Sequence, residues 1–155
     1  MKMPKVAIII GSKSDLPVVE RCTKILEEFE ISYDVKVLSA HRTPFETQEF
    51  AVNADKYYDI IIAGAGKAAH LPGVIASYTL LPVIGLPIKS STLDGLDSLL
   101  SIVQMPKGIP VATVAIDGAE NAALLACHIL SLKYTYLKEA LADYREKMAE
   151  EVLNN

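Results

Sequence analysis

Three short segments of this 155-residue sequence gather the groups that handle anions and protons. They are Gly11-Ser12-Lys13-Ser14-Asp15, then Ser39-Ala40-His41-Arg42-Thr43-Pro44, then residues 64–73, which begin Gly64-Ala65-Gly66-Lys67 and run through His70 to Gly73. Each follows an apolar, β-rich run and opens a helix-like pattern. Small residues, Gly66 among them, let backbone N–H groups come close to a ligand. Helix N-termini favour anions through free N–H groups and the macrodipole. The hydroxyls of Ser12, Ser14 and Ser39, with the Arg42 guanidinium, could complete a phosphate or carboxylate cradle. His41 is the candidate for the chemistry itself. Imidazole as a side-chain type titrates at about 6.5, which suits proton transfer near neutral pH.

Plainer roles compete at several of these positions. Ser14 and Asp15 suit a helix cap as well as a ligand contact, and Asp15 could serve as both. Arg42 could be a surface cation. His70 reads equally as ligand or cap. Thr43 and Glu46 read as a capping box with Pro44 at the first helical position. His128 lies in a helix-like apolar segment, so a histidine packed in a core or an interface is expected there. Gly66-Lys67 lacks the Ser/Thr of a Walker loop, since Ala68 follows, and Ile61 stands where its first Gly belongs. Gly64-x-Gly66-x-x-Ala69 fits a dinucleotide fingerprint only loosely, because no acid ends the next strand. The three His form no metal-ligand constellation with Cys or carboxylate support. No Gly-x-Ser-x-Gly elbow is present.

The elements that must position these segments alternate without a break. Apolar runs at 6–10, 33–38, 59–63, 81–86 and 110–116 read as strands. Helical patterns fill 16–29, 44–56, 71–79, the region around 96–103, 119–132 and 134–153. Such alternation over five strands implies an α/β fold: a three-layer, doubly wound parallel sheet with flavodoxin-like order 2-1-3-4-5 and a C-terminal helical arm. Ligands bind beyond the carboxyl ends of such strands where the order reverses, here between strands 1 and 3. Residues 119–132 are apolar almost all round, as in a core or subunit interface, and 134–155 carry a narrow apolar stripe suited to a neighbouring subunit. The length suits a single domain, 1–155.

Composition narrows the class. Apolar residues are 51% and charged residues 22%, as in a globular chain, and the net charge is −4 without a basic block. Neither nucleic acid nor a membrane surface is expected as partner. Cys22 and Cys127 fit no metal or redox spacing and read as free thiols of a reducing compartment. No apolar run is long enough to span a bilayer and no signal-peptide pattern appears, so a cytoplasmic protein is expected.

The three loops, together with Ser101-Ile102-Val103-Gln104-Met105-Pro106, resemble the motifs of the N5-carboxyaminoimidazole ribonucleotide mutase family of bacterial type, class I, in order and spacing over nearly the whole chain. The third loop, with Ala68-Ala69-His70-Leu71-Pro72-Gly73, differs from that of the animal-type branch, which carboxylates aminoimidazole ribonucleotide directly with CO2. The resemblance implies an isomerase of de novo purine synthesis that moves a carboxylate from an exocyclic nitrogen to ring carbon C4. It implies a homo-octamer without metal or organic cofactor. It implies that Ser12, Asp15 and Arg42 bind the nucleotide substrate and that His41 is the general acid and base. The family pattern has Gly where this sequence has Lys67. If that position needs φ > 0, Lys67 carries strain. Its side chain then either points to solvent or reaches the substrate carboxylate.

Overall fold

The computed structural model describes residues 2–154. Five strands form one parallel sheet: β1 (Lys5–Ile10), β2 (Ser32–Val37), β3 (Ile60–Gly66), β4 (Val83–Ile88) and β5 (Ala112–Thr113), in the order β2-β1-β3-β4-β5. Six α-helices connect and follow them: α1 (Leu16–Glu28), α2 (Pro44–Asn53), α3 (Leu71–Tyr78), α4 (Leu96–Val103), α5 (Ala119–Leu130) and α6 (Tyr136–Leu153).

Alternation within the central strands divides the core in two. Val6, Ile8 and Ile10 of β1, with Ile60 and Ile62 of β3, face α1, α5 and the start of α6. Ala7 and Ile9, with Ile61 and Ala63, face α2, α3 and α4. β1, β3 and β4 are therefore apolar on both faces, as a parallel sheet sandwiched between helices requires. The three-layer, flavodoxin-like architecture read from the alternation is the one observed.

The strands stop in step. Ile10 of β1 pairs with Val37 on one side and Gly64 on the other, and Gly66 pairs with Ile88. The segments after β1, β2, β3 and β4 therefore emerge along one edge of the sheet.

Several boundaries differ from the sequence reading. β3 continues through Gly64, Ala65 and Gly66 instead of ending at Ala63. Pairing with Leu86, Pro87 and Ile88 keeps them in the ladder, and Gly64 is small there because a Cβ would lie 3.1 Å from Ile88 Cδ1 of the neighbouring strand. β5 is two residues, not seven. Pro110 cannot donate to a ladder, and past Thr113 the chain follows β4 only through Val114 N–H to Gly85 O (3.2 Å) and Asp117 N–H to Pro87 O (2.8 Å). α2 ends at Asn53 and passes into a 3₁₀ turn at Ala54–Lys56. In α6, Leu137 and Leu141 are buried against the domain, and the Phe29 and Tyr144 rings lie 5.6 Å apart. The later stripe residues Met148 and Val152 stay exposed. His128, expected to pack in a core or an interface, is not in the core of this chain: α5 buries its alanines and turns His128 outward.

Candidate active site

The aligned strand ends enclose a cleft of about 700 Å³. All eight site residues singled out in the sequence line it: Ser12, Ser14 and Asp15 after β1, Ser39, His41 and Arg42 after β2, and Gly66 and His70 at the end of β3 and beyond.

The loop after β1 turns through a 3₁₀ turn, Lys13–Asp15, before α1. Its cap is Ser12, whose Oγ accepts hydrogen bonds from the Ser14 N–H (3.3 Å) and the Ser14 hydroxyl (2.9 Å). Asp15 occupies the N-cap position of α1 with helical backbone angles and makes no side-chain cap bond. Its carboxylate is not engaged in capping. Burial pushes the Asp15 carboxyl above the ordinary carboxylate range, a backbone hydrogen bond at Ser12 acts the other way, and the nearby charge of Asp117 adds to the rise.

The loop after β2 is tied to itself. Thr43 N–H donates to Ser39 O (2.9 Å), while the Thr43 hydroxyl donates to Ser39 O (3.1 Å) and accepts from Ser39 N–H (2.9 Å). The expected capping box of Thr43 and Glu46 does not form, because the Thr43 hydroxyl is committed to Ser39 and makes no cap bond to α2. The Ser39 hydroxyl accepts from Arg42 N–H (3.1 Å) and Arg42 Nε (3.3 Å). Arg42 also donates from its terminal nitrogen to the Gly11 carbonyl (2.7 Å). The guanidinium thus clips the second loop to the first and lies at the cleft wall.

His41 and His70, 29 positions apart in sequence, meet in the cleft. His41 Nε2 is 2.9 Å from His70 Nδ1, with the rings edge-on at a centroid distance of 5.0 Å. One nitrogen must donate and the other accept, so the contact holds one proton between the two rings. His70 stands at the N-cap position of α3 but makes no cap bond with its side chain. Its side chain is therefore not a cap, and its ring lies in the cleft beside His41.

The third loop holds the least comfortable backbone. Lys67 has φ 56°, in the left-handed region, where a residue with a β-carbon costs about 1–2 kcal/mol. It is exposed and lines the cleft. Gly66 beside it has little room for a side chain, since a Cβ would lie 3.3 Å from Ile88 O.

Residues missed by the sequence reading complete the wall. Lys89, Ser90 and Ser91 line the cleft after β4. Asp117 follows β5 at φ 56°, and its carboxylate accepts from Lys89 N–H at 2.9 Å. The signal for the β4 residues was available, as they too follow a buried strand at its carboxyl end. Among the described residues no group of three His, Cys, Asp or Glu is placed to hold a metal ion.

Comparison with known proteins places this architecture. Residues 5–151 match the sequence model of the family described as "AIR carboxylase". A Pyrococcus abyssi protein named N5-carboxyaminoimidazole ribonucleotide mutase is 65% identical over 94% of this chain and 84% of its own. A Thermotoga maritima protein of the same name is 58% identical over 97% and 89%. The crystal structure of Treponema denticola PurE superposes with a TM-score of 0.88 at 29% identity, covering 97% of this chain and 95% of that one. With the family's sequence spanning all five strands and the cleft along their shared edge, the chain belongs to the AIR carboxylase family.

Proposed function

We propose that this chain is an N5-carboxyaminoimidazole ribonucleotide mutase of purine biosynthesis, with His41 as its acid and base. The observation that carries the assignment of roles is the cleft in which His41 contacts His70 at 2.9 Å between the anion-binding loops.

The substrate carries a carbamate, which loses CO2 once its nitrogen is protonated. A protonated His41 supplies that proton. The N–C bond breaks, its electron pair stays on nitrogen, and CO2 is released. The enamine-like C4 attacks CO2 and forms the new C–C bond. Neutral His41 then removes the C4 proton, which restores the aromatic ring and the catalyst together. Protons and charge balance over the cycle without a redox partner. His70 holds the ring in place and fixes which nitrogen bears the proton.

CO2 has to remain in the cleft between the two steps. Ala40, Ala65, Ala68 and Ala69 line it, and Ala65 and Ala69 are themselves buried. A small apolar wall keeps water away and shortens the return path to C4. The hydroxyls of Ser12, Ser14 and Ser39, with the helix start after β1, bind the phosphate. Asp15 accepts from ribose hydroxyls, Arg42 binds the anionic end of the nucleotide, and Gly66 lets the backbone approach it. No metal or organic cofactor enters this scheme.

The single-domain chain acts in the cytoplasm on a free nucleotide, with no role for nucleic acid, and assembles as a homo-octamer. The exposed Met148 and Val152 of α6, with Leu124, Leu125 and His128 of α5, support a partner subunit on that side. A monomer by light scattering at micromolar concentration would contradict the assembly.

The family's own description favours a second reading, direct carboxylation of aminoimidazole ribonucleotide by CO2. Assaying both substrates at low bicarbonate separates them. The mutase converts the N-carboxylated nucleotide without ATP, metal or added bicarbonate. Turnover of aminoimidazole ribonucleotide alone, dependent on CO2, supports the second reading instead.

A further inference from the structure

β3 and β4 deliver two lysines to the cleft side by side. Gly66 pairs with Ile88, so the residues that follow, Lys67 and Lys89, leave the sheet together. They differ in what engages them. Lys89 Nζ lies 3.5 Å from Asp94. Arg42, the third cation of the cleft, is turned to Gly11 O and Ser39 Oγ. Among the described residues the Lys67 side chain has neither a hydrogen-bond nor an ion-pair partner. The cleft therefore holds one unengaged ammonium, carried on a backbone at φ 56° that disfavours any side chain. Three residues further along the same loop, His70 touches His41.

An unpaired cation in a concave wall attracts an anion, and a charged hydrogen bond to a carboxylate is among the stronger polar contacts. The phosphate has hydroxyl and helix-terminus donors on the first two loops. The carboxylate of the nucleotide has no such set, and it must lie near His41 to react. We propose that Lys67 is a specificity-determining residue that binds this carboxylate, so that the cleft prefers the carboxylated nucleotide over the same nucleotide without it. This rests on the mutase reading above.

The test measures equilibrium binding of the C4-carboxylated product and of aminoimidazole ribonucleotide, alongside turnover, for wild type, Lys67→Gln and Lys67→Arg. Lys67→Gln is expected to weaken product binding, and to raise KM for the N-carboxylated substrate, by about tenfold. Its affinity for the uncarboxylated nucleotide should change less than about twofold. Lys67→Arg should keep most of the preference, and added salt should weaken product binding to wild type more than to Lys67→Gln. Unchanged product affinity in Lys67→Gln overturns the proposal. So does an equal loss for both nucleotides, which would place the ammonium on the phosphate. A wild type that discriminates the two nucleotides through Lys67 but turns over neither substrate overturns the mutase reading and leaves the role of Lys67 standing.

Discussion

Replacing Asp15 by Ala separates a capping residue from a ligand-binding one, because the two roles change stability in opposite directions. A side chain that caps α1 would cost about 1 kcal/mol to remove. For a chain of this size that lowers Tm by about 2–4 °C. The structure gives Asp15 no cap bond. Instead its carboxyl is held above the ordinary value of 3.8 by burial, with the Asp117 charge adding to the effect. In the unfolded chain Asp15 ionises near 3.8, while in the folded chain it keeps its proton to higher pH. The folded state is therefore disfavoured progressively as pH rises through that window. Asp15→Ala should then leave Tm unchanged or raise it by up to about 3 °C at neutral pH, the range of a single relieved charge. The gain should vanish in melts taken below the ordinary carboxylate pKa. Nucleotide binding should weaken at least about tenfold in the same variant, since a charged hydrogen bond to the ribose is lost. Thermal melts at two pH values with a binding titration cover all three outcomes. A fall in Tm of about 2 °C or more at neutral pH would refute the reasoning.

Other parts of the molecule give independent checks. Burial pushes the Asp59 carboxyl up, but hydrogen bonds from Lys133 (3.1 Å), the Lys5 backbone (3.1 Å) and the Tyr134 hydroxyl (3.0 Å) outweigh it and hold it below the ordinary range. Its stabilisation is present above 3.8 and is lost as pH falls through the folded pKa. Asp59→Asn should therefore cost about 1 kcal/mol at neutral pH and little in acid, read by urea unfolding, and an equal loss at both pH values would contradict this. Cys22 and Cys127 are buried free thiols pushed up to about 12, chiefly by burial. Ellman's reagent should label them only after denaturation, and rapid labelling of the folded protein would show that α1 and α5 open there. At Lys67, Gly relieves a left-handed β-carbon but adds backbone freedom to the unfolded chain. Lys67→Gly should raise Tm by about 1–3 °C by calorimetry, and a drop would mean that the lysine itself holds the turn.

How far the sequence foretold the molecule depends on how local each feature is. The parallel sheet followed from alternation, because buried runs such as residues 6–10 and 81–86 have few other uses, and the order β2-β1-β3-β4-β5 was the economical choice among such sheets. The loops followed from the rule that ligands bind at strand ends, and all eight residues singled out on it line one cleft. The end of β3 was not legible. Gly64-Ala65-Gly66 has the composition of a turn, and only its register against Leu86, Pro87 and Ile88 makes it a strand. The contact of His41 with His70 was equally hidden, since 29 residues and a full strand separate them. Asp15 could not be assigned because an N-cap and a ligand-binding acid occupy the same place in sequence. In the structure Asp15 stands at the N-cap position of α1 without a side-chain cap bond, while Ser12 caps the 3₁₀ turn before it. His128 does not lie in the core, because α5 buries Ala119, Ala122, Ala123, Ala126, Cys127 and Leu130 on one face and His128 falls on the other, a division that an alanine-rich helix hides in its sequence.

The central claim is that His41 delivers one proton to release CO2 and takes one from C4 after its recapture. The direct measurement compares wild type and His41→Asn for conversion of the N-carboxylated nucleotide and for equilibrium binding of the C4-carboxylated product. The account predicts that turnover falls at least about a hundredfold, the contribution of a positioned acid–base group. Product affinity should stay within a few-fold, because the anion-binding loops remain. Turnover near the wild-type rate in His41→Asn would contradict the account outright.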